Sequence, residues 1–243
     1  MTTHTLQQLY EDPVDGMISG SARALLQAQM LVDGASGEHV GTLRAVDVGC
    51  GDGKWTAMAA DIAARAGIDV SFIGLDWSLT ALGQAKGHGL GVVRGSVEHP
   101  GLPLASNSVD IVIMSELIEH LVDTDTALEE VRRVLVPGGS LLLSTPNLAA
   151  WYNRGLLLLG VQPLFTEVSL LGIYGRPGHE VVGHLRVFTR RALTALLDAH
   201  GFVDVTIAGA PYHDVPRLLR PIDRLMCRTP GLSSILLASA QAP

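Results

Sequence analysis

Short apolar runs punctuate the chain at Arg44 to Val48, Val70 to Leu75, Gly91 to Val93, Val109 to Met114 and Ser140 to Ser144. Each has the length and near-continuous apolarity of a strand buried on both faces. Between most of them apolar residues recur every three or four positions, which predicts helices over Trp55 to Ala66, Leu79 to Lys86 and Asp123 to Leu135. Such alternation implies right-handed crossovers and a doubly wound α/β sheet whose ligands bind at the carboxyl ends of the strands. A helix is also expected over Ser21 to Val32, ended by Asp33-Gly34 and placed as a lid beside that edge. After the alternation come an insertion from Leu148 to Val187, a helix from Arg190 to His200 stopped by Gly201, and strands near Val203 to Ala208 and Ser233 to Ala238. The expectation is one domain over 1–243: a helical cap (1–43), a ligand-binding half (44–147), an insertion (148–188) and a C-terminal part (189–243).

Composition narrows the class. The 243 residues are 47% hydrophobic and 17% charged, without a low-complexity tract, so a packed core is expected. A net charge of −7 argues against a nucleic-acid backbone as main partner, because that interaction rests on Lys and Arg neutralising phosphates. The cysteines are Cys50 and Cys227, too few for a disulfide framework, which suits a reducing compartment. The first residues lack the basic and apolar regions of a secretory signal. Gln162, Pro163 and Glu167 break the stretch from Gly155 to Gly175, so it is not read as a membrane span. The expected location is the cytoplasm.

The loop Val46-Asp-Val-Gly-Cys-Gly-Asp-Gly53 sets glycines at alternate positions between a strand and a helix, where backbone can approach a ligand closely. Asp47 lies at the strand end, within reach of a ligand's amino group or ordered water. Asp76 ends Phe72-Ile-Gly-Leu-Asp76, where a carboxylate can accept hydrogen bonds from both hydroxyls of a ribose. After the third strand the chain reads Arg94-Gly-Ser-Val-Glu98, with Ser96 as the candidate ligand contact there.

These motifs, with LPLASNSVDIVIMSELIEHL and VRRVLVPGGSLLLSTPN, resemble the successive motifs of class I S-adenosylmethionine-dependent methyltransferases over Arg44 to Asn147. The resemblance implies a Rossmann-like, seven-stranded, mostly parallel sheet with an antiparallel last strand. It also implies cofactor contacts from Asp47, Gly49, Gly51, Asp76, Trp77, Ser96, Val97 and Ser115.

After the fourth strand, Glu116, Glu119 and His120 have helical i, i+3, i+4 spacing, which can turn all three to one side. Two carboxylates and an imidazole suit an oxygen-preferring divalent ion, magnesium or manganese. The same triplet also fits methyltransferases that use no metal and carry a Glu-His pair to position a loop. With His184 in Gly183-His-Leu-Arg-Val-Phe-Thr189, the pattern resembles the ubiquinone-pathway catechol O-methyltransferases and the Hen-type small-RNA 2′-O-methyltransferases. That resemblance implies Glu116, Glu119, His120 and His184 as metal ligands; a hydrogen-bonding gate is the other reading of His184, and His179 is a weaker candidate contact.

Alcohols resist deprotonation, so a Lewis acid with open positions would suit two neighbouring hydroxyls, with His120 or His184 taking the proton. The expected activity is O-methylation of a vicinal diol, on a saccharide packed against Trp151, Tyr152, Phe165 and Tyr174. The chain also resembles actinobacterial sugar O-methyltransferases. A catechol, an RNA 3′ ribose and a non-catalytic cofactor-binding regulator stay open, as do a homodimer and peripheral membrane contact through the Arg217 to Arg228 stripe.

Overall fold

The computed structural model describes residues 21–35, 41–178, 181–212 and 215–243. Helix α1 (Ser21–Ala35) precedes the alternation β1 (Leu43–Val48), α2 (Lys54–Arg65), β2 (Val70–Asp76), α3 (Leu79–Gly87), β3 (Gly91–Arg94) and β4 (Val109–Ser115). A short 3-10 turn (Ile118–His120) leads to α4 (Thr124–Val134) and β5 (Leu135–Pro146). Then follow α5 (Trp151–Leu158), α6 (Arg190–Ala199), β6 (Val203–Ala210), α7 (Arg220–Met226) and β7 (Ile235–Gln241). The seven-stranded sheet has the order β3-β2-β1-β4-β5-β7-β6. β7 alone runs opposite to the other six strands, as expected of the last strand.

The two-residue alternation of strands divides the core. Val46, Val48, Val112, Met114, Leu141 and Leu143 point to one face and meet Leu128 and Val131 of α4 and Leu193 and Leu197 of α6. Ala45, Ile111, Ile113 and Leu142 point to the other and meet α1 and α2 through Ala28, Leu31, Ala59 and Ala63. Side-chain caps start several helices: Ser78 accepts from Ala81 N, Asp123 from Thr126 N and Thr189 from Ala192 N, each worth about 1 kcal/mol.

Helix α1 does more than stand beside the carboxyl edge of the sheet. Ala24, Ala28 and Leu31 are buried, and Gln27 bridges Ser115 Oγ (2.8 Å) and Leu142 O (3.3 Å). It is a layer of the core that touches the carboxyl end of β4. Strand β5 begins earlier than the sequence suggests, because Leu135 pairs with Val109 before a register shift restores the ladder at Ile111↔Ser140. Helix α5 had no clear periodic signal, whereas α7 falls inside the Arg217 to Arg228 stripe; each is about two turns long.

Candidate active site

The glycine turn sits at the carboxyl edge of β1 and β2. Gly49 N and Cys50 N both donate to Leu75 O, at 2.7 and 3.1 Å, which ties the loop to the end of β2. Gly49, Gly51 and Gly53 have φ of 76°, 55° and 75°, left-handed values that glycine adopts without strain. Their surroundings differ. A Cβ on Gly53 would lie 2.7 Å from Ala85 Cβ, and one on Gly49 3.0 Å from Leu117 Cδ1, so these positions serve packing. Gly51 faces open space and is the one that leaves room for a ligand.

Asp76 organises this turn: its carboxylate accepts from Gly51 N (2.9 Å) and Ser78 N (2.8 Å), and each oxygen keeps a further acceptor site. Asp47, only 4% exposed, accepts from Thr56 Oγ1 at 2.5 Å and so braces α2 beneath the loop. Trp77 is partly exposed, with the Arg94 guanidinium 5.3 Å from its ring centroid. Ser96 Oγ accepts from Glu98 N (3.2 Å), Val97 is buried, and Ser115 Oγ donates to Gln27. Sequence reasoning passed over Gly74, where a Cβ would meet Cys50 Sγ at 2.7 Å.

Beyond β4, Glu119, His120 and His184 come together: one donor atom of each lies within 4.8 Å of the others, and all three are buried. Glu119 is fully buried and its Oε2 accepts from Thr145 Oγ1 of β5 at 3.0 Å. The imidazoles approach to 4.7 Å between centroids. His120 Nδ1 lies 3.2 Å from Gly183 O, and His184 Nδ1 3.0 Å from Phe165 O. A carbonyl oxygen can only accept, so each Nδ1 carries the hydrogen and each Nε2 keeps its lone pair. Burial, and for His120 the neighbouring His184, holds the pKa values down at about 3 for His120 and about 4 for His184, so both rings are neutral near pH 7.

Glu116 is not part of this group. The spacing argument requires a helical turn starting there, but Glu116 has φ 52° and its N donates to Ser144 O, while the turn begins at Ile118. A left-handed residue redirects the chain, so Glu116 leaves the face shared by Glu119 and His120.

The insertion reaches the cluster because its ends are zipped: Asn147 bridges to Phe188, and Leu185 N and Arg186 N donate to Glu119 O at 2.8 and 3.1 Å. Glu167 then holds the approach to His184. Its carboxylate accepts from the backbone of Val182 (2.7 Å), Gly183 (2.8 Å) and His184 (3.1 Å) and pairs with Arg176 at 3.2 Å, both side chains nearly inaccessible. In the sequence Glu167 registers only as an interruption of an apolar stretch; a lone acid in such a stretch was the available signal.

The aromatic residues of the insertion divide. Trp151 Nε1 donates to Asp223 at 2.9 Å, Tyr152 stands edge-on to Trp151, and Phe165 packs edge-on against Tyr212 while flanking His184. Tyr174, 59% exposed, is the one left open to a ligand. His179 lies outside the described residues.

A methyltransferase-domain family profile matches residues 46–143. A Mycolicibacterium smegmatis protein named as a probable S-adenosylmethionine-dependent methyltransferase is 36% identical over 183 residues, 70% of this chain and 66% of its own. A ubiquinone/menaquinone biosynthesis C-methyltransferase of Rubrivivax gelatinosus is 32% identical over 176 residues, 70% of this chain and 64% of its own. The chain therefore spans just under two thirds of these relatives' length. In fold it is similar to an S-adenosylmethionine-dependent methyltransferase of Mesorhizobium loti, with a TM-score of 0.60 at 21% identity over 91% of this chain and 98% of that one. By sheet order, profile and relatives alike, the chain belongs to the class I S-adenosylmethionine-dependent methyltransferase family.

Proposed function

We propose that the protein transfers a methyl group from S-adenosylmethionine to a hydroxyl oxygen, with a divalent cation held by Glu119, His120 and His184. The observation that carries this reading is the buried Glu119 carboxylate gathered with two buried imidazoles, their ligand atoms within 4.8 Å of one another, with each Nδ1 turned to a backbone carbonyl. Two nitrogen donors and one carboxylate suit manganese better than magnesium, which prefers oxygen throughout. When bound, the sulfonium cofactor supplies an electrophilic methyl group and the cation supplies Lewis acidity toward the acceptor hydroxyl.

The chain's own part is placement. Gly51 and Asp76 offer an open turn and a carboxylate to the adenosyl group, with Asp47, Gly49, Trp77, Ser96, Val97 and Ser115 around it. Thr145 fixes the rotamer of Glu119, and Glu167 fixes the backbone that carries His184. A histidine that gives Nε2 to a cation cannot also take a proton there. Rings held at pKa values of about 3 and 4 are weak bases near neutrality, which favours the ligand role over the proton-acceptor role.

For the acceptor we favour the vicinal diol of a saccharide, with Tyr174 as the aromatic face available to it. The net charge of −7 weighs against RNA. Carbon methylation of a quinone precursor is the competing reading, supported by the Rubrivivax relative. Two thiols left unbridged fit a reducing compartment such as the cytoplasm. Turnover against sugars, catechols, quinone precursors and RNA ends, each with Mn2+ and with EDTA, tests the proposal. Diol O-methylation lost in EDTA is the expected result; full activity in EDTA, or a carbon-methylated product, would overturn it.

A further inference from the structure

Helix α7 is built inside out. Its one buried residue is an acid: Asp223, 1% exposed, accepts from Trp151 Nε1 (2.9 Å), Ser234 Oγ (2.5 Å) and Tyr212 N (3.1 Å). The apolar residues point outward, with Leu218 92%, Ile222 42% and Leu225 54% exposed. Ile222 and Leu225, at i, i+3 in the helix, share one face away from Asp223, and Leu218 stands in the turn that leads into it. Arg220 and Arg224, at i, i+4, lie on a neighbouring face, with Arg217 in the turn before the helix and Arg228 in the turn after it; all four are exposed, and Arg220 also donates to Val215 O (3.1 Å). Pro221 does not break the helix, because it occupies the first turn, where no intrahelical N–H bond is lost.

The geometry points to this face of α7 as a docking surface for an anionic lipid bilayer. Hydrogen bonds to Asp223 hold the helix against the body of the protein, so the leucines are exposed by construction. From Arg217 to Arg228 the lone acid is Asp223, turned inward, in a chain whose net charge is −7. A cationic stripe along an apolar stripe matches both parts of an anionic interface, with arginines at the headgroups and leucines at the acyl boundary. A second copy fits less well, since a two-fold contact through this face would set arginines against arginines. Another exposed apolar run among the described residues, Leu157, Leu158 and Leu159 at the end of α5, has a single arginine nearby, Arg154, rather than a stripe of four. The inference does not depend on the acceptor.

The test is co-sedimentation of the 243-residue chain with vesicles of phosphatidylcholine alone or doped with phosphatidylglycerol, at low and high salt. Binding is expected only to the doped vesicles and is expected to fade as salt shortens the screening length. Arg217→Ala and Arg224→Ala should each weaken binding about fivefold, and Leu218→Ser about tenfold; all three residues are exposed, so folding is spared. Equal binding to neutral vesicles, no binding, loss only in Leu158→Ser, or lipid-free dimerisation abolished by Leu218→Ser would each overturn the proposal.

Discussion

The cofactor edge and the Glu119, His120, His184 cluster lie at the same carboxyl side of the fold but are built differently. The first is made of strand ends: Gly49 to Gly53 and Asp76 follow directly from β1 and β2, and their positions are fixed by sheet pairing and by backbone bonds such as Gly49 N to Leu75 O. The second unites a turn after β4 with a loop that returns from the insertion, and it depends on one buried carboxylate, Glu167, holding three successive amides. A site on strand ends is as rigid as the sheet, whereas one closed by a loop is as rigid as the loop's anchors.

The contrast is broken most sharply by Glu119→Ala. If a cation supplies several kcal/mol to the barrier, kcat should fall about a thousandfold while calorimetry gives near wild-type cofactor affinity. Unchanged turnover would remove Glu119 from the chemistry.

Glu167→Ala asks whether the loop anchor matters as claimed. It removes the buried ion pair with Arg176, and breaking such a pair costs about 3–5 kcal/mol, or roughly 10 °C in melting temperature for a chain of this size. Mn2+ affinity should drop about 10- to 100-fold, and Glu167→Gln should lie between Ala and wild type. A variant that melts early but binds Mn2+ normally would make Glu167 structural only.

The opposite region is probed by Asp76→Ala, expected to weaken S-adenosylmethionine binding by about 10-fold or more through lost charged hydrogen bonds. Mn2+ binding should not change; coupled losses would mean that the two regions are not independent. The smallest effect is expected at Gly74→Ala, where the new methyl group meets Cys50 Sγ and costs about 1–3 kcal/mol of stability in thermal melts. No loss would show that Cys50 can move aside.

Much of the glycine turn and of the strand ends around it was legible because their signals are local. Glycines of left-handed φ, an acid at a strand end and strand-length apolar runs each state their geometry within a few residues. The acceptor side was less so. The i, i+3, i+4 spacing of Glu116, Glu119 and His120 assumed a helix that the left-handed Glu116 interrupts, and the aromatic residues credited to a ligand largely pack on Asp223, Tyr212 and one another. In sequence Pro221 argues against a helix over the Arg217 to Arg228 stripe, but it sits in the first turn of α7, where a helix tolerates it.

The sequence by itself determined the alternating layers, the sheet and the glycine turn, because period, glycine and strand-end chemistry act over short separations. Only the tertiary structure decided that His184 joins His120, that Glu116 does not, and that α7 turns its leucines outward. Those outcomes depend on bonds between distant residues, such as His120 to Gly183 and Trp151 to Asp223, whose partners no local pattern names.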